Sequence, residues 1–375
     1  LAWKHIVWSI DTTQATSTNR VKLYINGVQE TLNFVTTPAQ NLQLQINVNQ
    51  EHRIGRGTPD DYGNFYLADV QFVDGSALDA TSFGAFDDNG VWQHAEYDGS
   101  YGTNGFHLLD FANESTVGHD SSGNENDFTA NNISTTAGAG NDVLFDVPTN
   151  GTQSDTGAGG EVSGNYATLN SLDSQGSLTL SNGNLDVSNT ANSLRNSRAT
   201  IAYPATGKWY YEYTPGGSAN MAIGIADSTT SLSAENNGTF ITYHQDGAKN
   251  VNGTKTASAF ASYTAGDVIG VMYDSGSNSV TFYKNNSSQG SVTPTSGTTY
   301  FPFIITYNTT GSFNFGARAF AYTAPSSAKA LCTTNLPTPT IADGSDYFEA
   351  KTYTGNGSTQ TISLPFSPDL VWVKG

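Results

Sequence analysis

Along most of this chain, apolar residues either alternate with polar ones or run together over short stretches separated by Gly, Asn, Ser and Asp clusters. A period of two sends successive side chains to opposite faces of a strand, and a short unbroken apolar run marks a strand buried on both faces. The densest series lies between Gly207 and Phe315: Lys208-Trp209-Tyr210-Tyr211-Glu212-Tyr213, Met221-Ala222-Ile223-Gly224-Ile225-Ala226, Val268-Ile269-Gly270-Val271-Met272-Tyr273 and Val280-Thr281-Phe282-Tyr283. It predicts the core strands of a β-sandwich. Thr239–His244, Tyr300–Tyr307 and Gly311–Gly316 add three more strands.

Shorter signals occupy the rest of the chain. The opening stretch, Leu1 to Asp11, reads as an apolar strand paired with Arg20 to Val28. In the second of these, Val21, Leu23 and Ile25 share one face, and Asn26-Gly27 supplies the positive φ angles of a tight hairpin. Phe65–Gly75, Gly90–Gln93 and Gly105–Phe111 read as further strands. Only Ser76–Gly84 looks helical, for a turn or two, with Asp79 as cap and Gly84 as stop. A last strand pair is predicted at Tyr347–Tyr353 and Leu370–Val373. A chain that opens and stops within strand-like segments is expected to be a window on a longer, modular polypeptide.

Composition sharpens the fold class. Only 13% of residues are charged, against about 25% in an average domain, and Gly, Ser, Thr and Asn stand where helix-forming Lys and Glu would be. The expectation is an all-β chain with almost no helix: tandem β-sandwich, jelly-roll-type modules joined by a Gly/Ser/Asn-rich linker. The length suits about two domains. With 33 acidic against 15 basic residues and a net charge of −18, the chain repels phosphate backbones and anionic bilayers, which argues against nucleic acid as a partner. No apolar run approaches the ~18–20 residues of a membrane span. The lone Cys332 rules out an internal disulfide and multi-cysteine metal sites, and reads as a small buried apolar side chain.

The order of the phrases carries two resemblances. W-x-H-I-V-x-S-I-D, V-x-L-Y-I-N-G-V, I-G and F-Y-L-A-D-V-Q-F-V-D-G resemble the second half of a concanavalin A-like, laminin G-type jelly roll. The loop Asp120-Ser121-Ser122-Gly123-Asn124-Glu125-Asn126-Asp127 is similar to phrases in that family. G-K-W-Y-Y-E-Y, I-G-I-A, D-V-I-G-V-x-Y-D, V-T-F-Y-K-N, F-P-F and F-N-F-G, in that order, resemble the SPRY family of β-sandwich recognition modules. The whole order, with a tail containing Pro368-Asp369-Leu370-Val371-Trp372-Val373-Lys374, resembles marine or cyanobacterial phage fibre and tail proteins. The implied organisation is 1–136 as the C-terminal part of a jelly roll with an extension, 137–164 as linker, 165–325 as a SPRY-like sandwich, and 326–375 as connector and start of a further β module.

Candidate chemistry is sparse. A jelly-roll glycosidase needs two carboxylates facing one sugar bond, about 5–9 Å apart, as an alternation on one strand face. None occurs, and the adjacent pairs Asp60-Asp61 and Asp87-Asp88 would point to opposite faces. His5, His52, His94, His107, His119 and His244 lack chelating spacings, and nucleophile-elbow, phosphate-loop and dinucleotide signatures are absent. The best ion candidate is Asp120, Asn124, Asn126 and Asp127, hard oxygens in one loop as calcium prefers. The competing reading is an Asx turn in which Asp120 and Asn124 bond their own backbone. A glycan or receptor site would draw on Trp92, Tyr97, Tyr101, Tyr243 and His244 in or beside turn-rich stretches, whereas Trp3, Trp209 and Phe282 read as core.

The resulting expectation is a non-enzymatic structural or adhesion component of a phage particle, a fibre, tail or capsid appendage. Its location would be the virion or the extracellular space, and its partners other copies of itself, virion proteins and a host-surface carbohydrate or receptor. The alternative is a secreted or cell-surface bacterial lectin-like adhesin with calcium-assisted sugar binding. A polysaccharide-cleaving enzyme comes last for want of carboxylates. The SPRY resemblance implies binding through variable loops, here Asp227–Asn237 and His244–Thr254.

Overall fold

Strand alternation in the sequence becomes a series of antiparallel sheets. The computed structural model describes residues 3–48, 50–57, 61–63, 65–87, 90–109, 117–144, 154–162, 164–217, 221–338, 340–341 and 344–374. Asp60 and Asp88 of the adjacent acidic pairs lie outside the described residues.

Seven short strands come first: β1 (Ile6–Ile10), β2 (Val21–Ile25), β3 (Val28–Gln29), β4 (Val70–Phe72), β5 (Gly84–Phe86), β6 (Trp92–His94) and β7 (Phe106–Leu108). β1, β2 and β3 form one sheet, β4 pairs with β7, and β5 pairs with β6. Asn26 and Gly27 take φ angles of 48° and 79°, the left-handed pair that a two-residue hairpin needs to match strand twist. Asp79 caps a single 3-10 turn, Ala80–Ser82, by accepting a bond from the Thr81 amide at 3.0 Å. Register sets Ile6 opposite Ile25, Trp8 opposite Leu23 and Ile10 opposite Val21. These apolar side chains share one sheet face, on which Ile6 and Trp8 are exposed.

The sandwich follows. Its strands are β8 (Leu169–Ser174), β9 (Thr179–Ser181), β10 (Asp186–Asn189), β11 (Arg195–Ala199), β12 (Lys208–Pro215), β13 (Met221–Ala226), β14 (Phe240–His244), β15 (Lys249–Val251), β16 (Thr254–Thr256), β17 (Ile269–Asp274), β18 (Ser279–Lys284), β19 (Ser287–Val292), β20 (Phe301–Thr306), β21 (Thr309–Asn314) and β22 (Ala328–Ala330). One sheet runs β16-β15-β14-β13-β20-β11-β8 and the other β19-β18-β17-β12-β21-β10-β9. Between them lie fully buried Tyr211, Tyr213, Ile223, Ile225, Tyr243, Phe282, Phe313 and Phe315. A buried tyrosine needs a partner for its hydroxyl: Tyr211 donates to Gly224 O on the facing sheet at 2.6 Å, and Tyr263 to Tyr243 O at 3.1 Å.

β12 is buried on both faces, which explains its unbroken aromatic run. Tyr211 and Tyr213 point inward, while Tyr210 lies under a further layer with Val162, Tyr166, Phe320, Ala324, Ala330 and Cys332. One edge of β12 is divided between antiparallel β21, along Glu212–Pro215, and parallel β22, along Lys208–Tyr210. At that seam the buried Glu212 carboxylate accepts bonds from the Ala321 and Tyr322 amides at 2.8 and 3.0 Å.

The stretch 137–164, expected as a linker, is laid along the sandwich in its described residues. Gly138 N donates to Ala319 O, Gly160 N to Gly316 O, and Phe320 N to Ala158 O, at 2.8–2.9 Å. Buried Arg318 donates to Ala139 O at 2.7 Å and to Asn141 O at 2.9 Å. The glycines here permit close backbone contact rather than flexibility: Gly159 has φ +73°, and a Cβ on it would lie 2.8 Å from Arg318 O.

The chain divides into two units, Leu1–Asn335 and Leu336–Gly375, so β22 belongs with the sandwich and the expected boundary at 325/326 moves. The strands expected at Tyr347–Tyr353 and Leu370–Val373 do not form; among the described residues of the second unit the only regular element is a 3-10 turn, Gly344–Asp346. Tyr347, Phe348, Leu370 and Trp372 are exposed there, and an isolated two-stranded hairpin is marginal in water.

Candidate functional site

The side-chain period of β14 decides what faces outward. Phe240, Thr242 and His244 point away from the sandwich interior, and Ile241 and Tyr243 point into it. Register places Ala222 of β13 between His244 and Ile305, and this small residue leaves a depression on the outer surface. An open cavity of about 340 Å³ lies there. Leu194 and Ile305 supply its apolar floor, Met221 lines its edge, and Tyr307 and His244 stand beside it. Its polar rim is Glu235, Gln245, Asp246 and Lys255.

The loop carrying Glu235 is braced from beneath. Asp227 accepts bonds from Thr229 N at 3.0 Å and Thr230 Oγ1 at 2.8 Å. Arg198, ion-paired to Asp173 at 2.6 Å, donates to Asp227 O and Thr230 O. Asn196 Nδ2 donates to Ser231 O and Ala234 O, and Asn250 Nδ2 to Glu235 O, at 2.9–3.1 Å. A Cβ on Gly238, at φ +123°, would lie 2.3 Å from Thr230 Cα, so the return of this loop requires glycine. The facing turn is held by Asp246, which accepts from Ala248 N at 2.9 Å and pairs with Lys255 at 3.2 Å.

Electrostatics leave one open charge. Burial, with the Lys255 cation nearby, pushes His244 down to about 4, so it is neutral at pH 7. Asp246 and Lys255 satisfy one another. Among the described residues, the Glu235 carboxylate, Gln245 side-chain amide and Tyr307 hydroxyl have no intramolecular hydrogen bond or ion pair. The groove thus offers an apolar floor, one free anion and two free polar groups on a fixed frame.

Of the sequence-predicted ligand residues, His244 lines this groove and Tyr243 does not. Tyr243 is fully buried on the opposite face, packed against Phe260, Tyr263 and Phe282, with its hydroxyl bonded to Ala261 O. Trp92 packs on Gly27, where a Cβ would lie 2.1 Å from its ring, and on Phe86 at 5.0 Å. Tyr97 lies between Phe83 and Tyr101, each at 5.3 Å, and buried Tyr101 stacks on His107 at 5.5 Å. Each of these rings packs against neighbouring side chains.

Asp120 takes the Asx form, whereas the Asn124 side chain bonds the distant Gly102 and Gly105 carbonyls rather than its own backbone. Asp120 is buried, and its two oxygens accept from His107 N, Ser122 N, Ser122 Oγ and Asn126 N at 2.8–2.9 Å. Asp127 accepts from Asp120 N at 2.8 Å. Asn124 and Asn126 turn their NH₂ groups onto Gly102 O, Thr103 O and Gly105 O. Both Asp120 oxygens and Asp127 Oδ1 are thus engaged by N–H and O–H donors. Among the described residues no group of three His, Cys, Asp or Glu side chains is arranged to hold a metal ion.

Sequence reasoning did not single out Glu235, Gln245 or Tyr307, although the first two lie in or beside the loops it selected. It also missed the meeting of His5, His94 and His107 around Asp69, for which spacing gives no signal.

Residues 208–318 match the SPRY domain family. This part of the chain is a SPRY domain. The match spans β12 to Arg318, so β8–β11 complete both sheets from outside it. SPRY domains mediate protein–protein interactions and are generally non-catalytic. The chain is similar to the crystal structure of the SPRY domain of human HERC1 at 13% identity, over 39% of this chain and 96% of that one, with a TM-score of 0.34. A second human SPRY domain gives 17% identity, 38% and 96% coverage, and a TM-score of 0.32. No curated protein matches the chain. No helix among the described residues is long and apolar enough to cross a membrane.

Proposed function

We propose that this chain is a non-enzymatic interaction and adhesion component whose SPRY domain receives an extended segment of a protein partner in the groove between Glu235 and His244. The observation that carries this reading is a rigidly braced depression whose polar groups Glu235, Gln245 and Tyr307 are unengaged above an apolar floor. Solvent-accessible polar groups grouped round an apolar floor can exchange water for the polar groups of a ligand, while the floor buries its apolar part. The fitting segment carries an apolar side chain for Leu194 and Ile305 and a basic side chain for Glu235, in keeping with the net charge of −18.

The setting we propose is a virion or another extracellular assembly, where the chain is a fibre, tail or capsid appendage touching a host receptor, other copies of itself and neighbouring virion proteins. Support comes from the order of jelly-roll, Asp120-loop, SPRY and tail phrases in the sequence. A glycan ligand has weaker support, because the rings of Trp92, Tyr97, Tyr101 and Tyr243 are packed against neighbours.

Peptide display on the intact chain tests the reading. Selected peptides should share a basic residue near an apolar one, and Glu235→Lys or Tyr307→Ala should weaken them at least about tenfold, or about 1.4 kcal/mol, by calorimetry. Binders indifferent to both substitutions, or capture of glycans alone on an array, would contradict it.

A further inference from the structure

Three of the six histidines gather round one carboxylate. Asp69, immediately before β4, has a left-handed backbone with φ 52°. Its Oδ2 accepts from His94 Nε2 and from Gln71 Nε2, the latter at 2.9 Å, and its Oδ1 accepts from His107 Nε2 at 2.5 Å. His107 is buried and fixed: its ring stacks on Tyr101, and its backbone amide donates to Asp120. His94 is 37% exposed. On its other side stands His5, edge-on with ring centroids 5.7 Å apart.

His5 ties β1 to two other elements. Its amide donates to Asn26 Oδ1 at 2.9 Å, and its carbonyl accepts from Asn26 N at 2.8 Å, in the β2–β3 turn. Its Nδ1 accepts from Trp92 Nε1 on β6 at 3.0 Å, with the rings stacked at 5.7 Å. That bond requires an unprotonated Nδ1, since a proton there would face the indole N–H donor-to-donor.

We propose that His5, His94 and Asp69 form a pH-gated clasp between the β1–β3 sheet and the β5–β6 hairpin, closed near neutral pH and released in acid. Protonation of His5 removes its bond to Trp92 and places a second cation edge-on to His94, which the Asp69 carboxylate has already drawn to its charged form.

The order of titration follows from surroundings. The bond to Asp69 holds His94 above the ordinary histidine range, while burial, and then the nearby His94, hold His5 below it. Burial opposes the Asp69 charge, but bonds from His94 and His107 outweigh it and leave the carboxyl below the usual range. Glu96 adds negative charge on the His94 side, and Tyr101, pushed up to about 12 by burial, stays neutral. Asp120 lies behind His107, occupied by its own donors. His94 contributes stability that is complete below about 6.5 and lost as pH rises through its raised value. His5 works oppositely: stability falls as pH drops from about 6.5 to its lowered value. The clasp is therefore firmest around pH 6.5.

Two measurements on the intact chain test this. Amide exchange, corrected for intrinsic chemistry, should show protection at Val7 and Asn26 falling at least about tenfold between neutral pH and mild acid. His5→Gln should abolish the fall, because its side-chain oxygen accepts from Trp92 without titrating. Protection that is flat with pH in the wild type, or an equal fall in His5→Gln, overturns the proposal. Histidine NMR titration of the wild type needs no variant: His94 must titrate above His5, and the reverse order overturns the clasp. Asp69→Asn, which suits a left-handed φ, should bring His94 down towards the ordinary value.

Discussion

Glu212 gives the most direct test of how the sandwich is held together. Burial pushes this carboxyl from its ordinary 4.5 up to about 7, and its bonds from the Ala321 and Tyr322 amides offset only part of that. The folded chain therefore keeps the proton to higher pH than the unfolded chain. Stability contributed by the protonated form is complete below the unfolded value and lost as pH rises through the folded one. At about 1.4 kcal/mol per pH unit, the rise corresponds to about 3 kcal/mol lost between about pH 5 and pH 8. Glu212→Gln removes the titration but keeps only one acceptor, leaving an amide N–H against a backbone N–H at a pH-independent cost of about 1–3 kcal/mol. Urea denaturation followed through buried Trp209, at several pH values, separates the two effects. The variant should be the less stable at about pH 5, and the gap should close or invert by about pH 8. Parallel curves with a constant gap would refute the assignment.

Two further predictions concern the segments packed on the sandwich. Arg318→Met removes charged bonds to Ala139 O and Asn141 O and should cost about 2–4 kcal/mol, with amide exchange accelerating at Gly138 and Asn141. For the Asp120 loop, a calcium chelator should leave the melting temperature unchanged, whereas Asp120→Ala strips four donors of their acceptor and should cost at least about 2 kcal/mol. A melting temperature raised by added calcium would contradict the Asx reading.

Much of the sandwich is legible in the sequence because its strands follow simple rules. Met221–Ala226 and Phe240–His244 form where apolar runs predict them, and the Asn26-Gly27 hairpin follows from its two residues alone. What escapes is long-range. Tyr210 and Glu212 lie on the outer face of β12, where 315–332 covers them, yet that Ala-rich stretch has no periodicity to announce a layer. Gly159 and Gly160 read as linker because composition cannot separate a flexible glycine from one required by close backbone approach. Tyr243 and His244 are neighbours in sequence but lie on opposite faces, so only one can reach the groove. Calcium and Asx loops use the same residues, and only the direction of each donor distinguishes them. The histidine clasp draws on positions 5, 69, 94 and 107, whose meeting no local pattern encodes.

The central claim is that a protein segment docks in the groove beside Glu235. Amide-exchange or NMR footprinting of a selected peptide on the intact chain tests it most directly. The account predicts protection concentrated at Leu194, Glu235, Gln245 and Tyr307, and lost in Glu235→Lys. A footprint elsewhere on the SPRY domain, unchanged by that substitution, would contradict it.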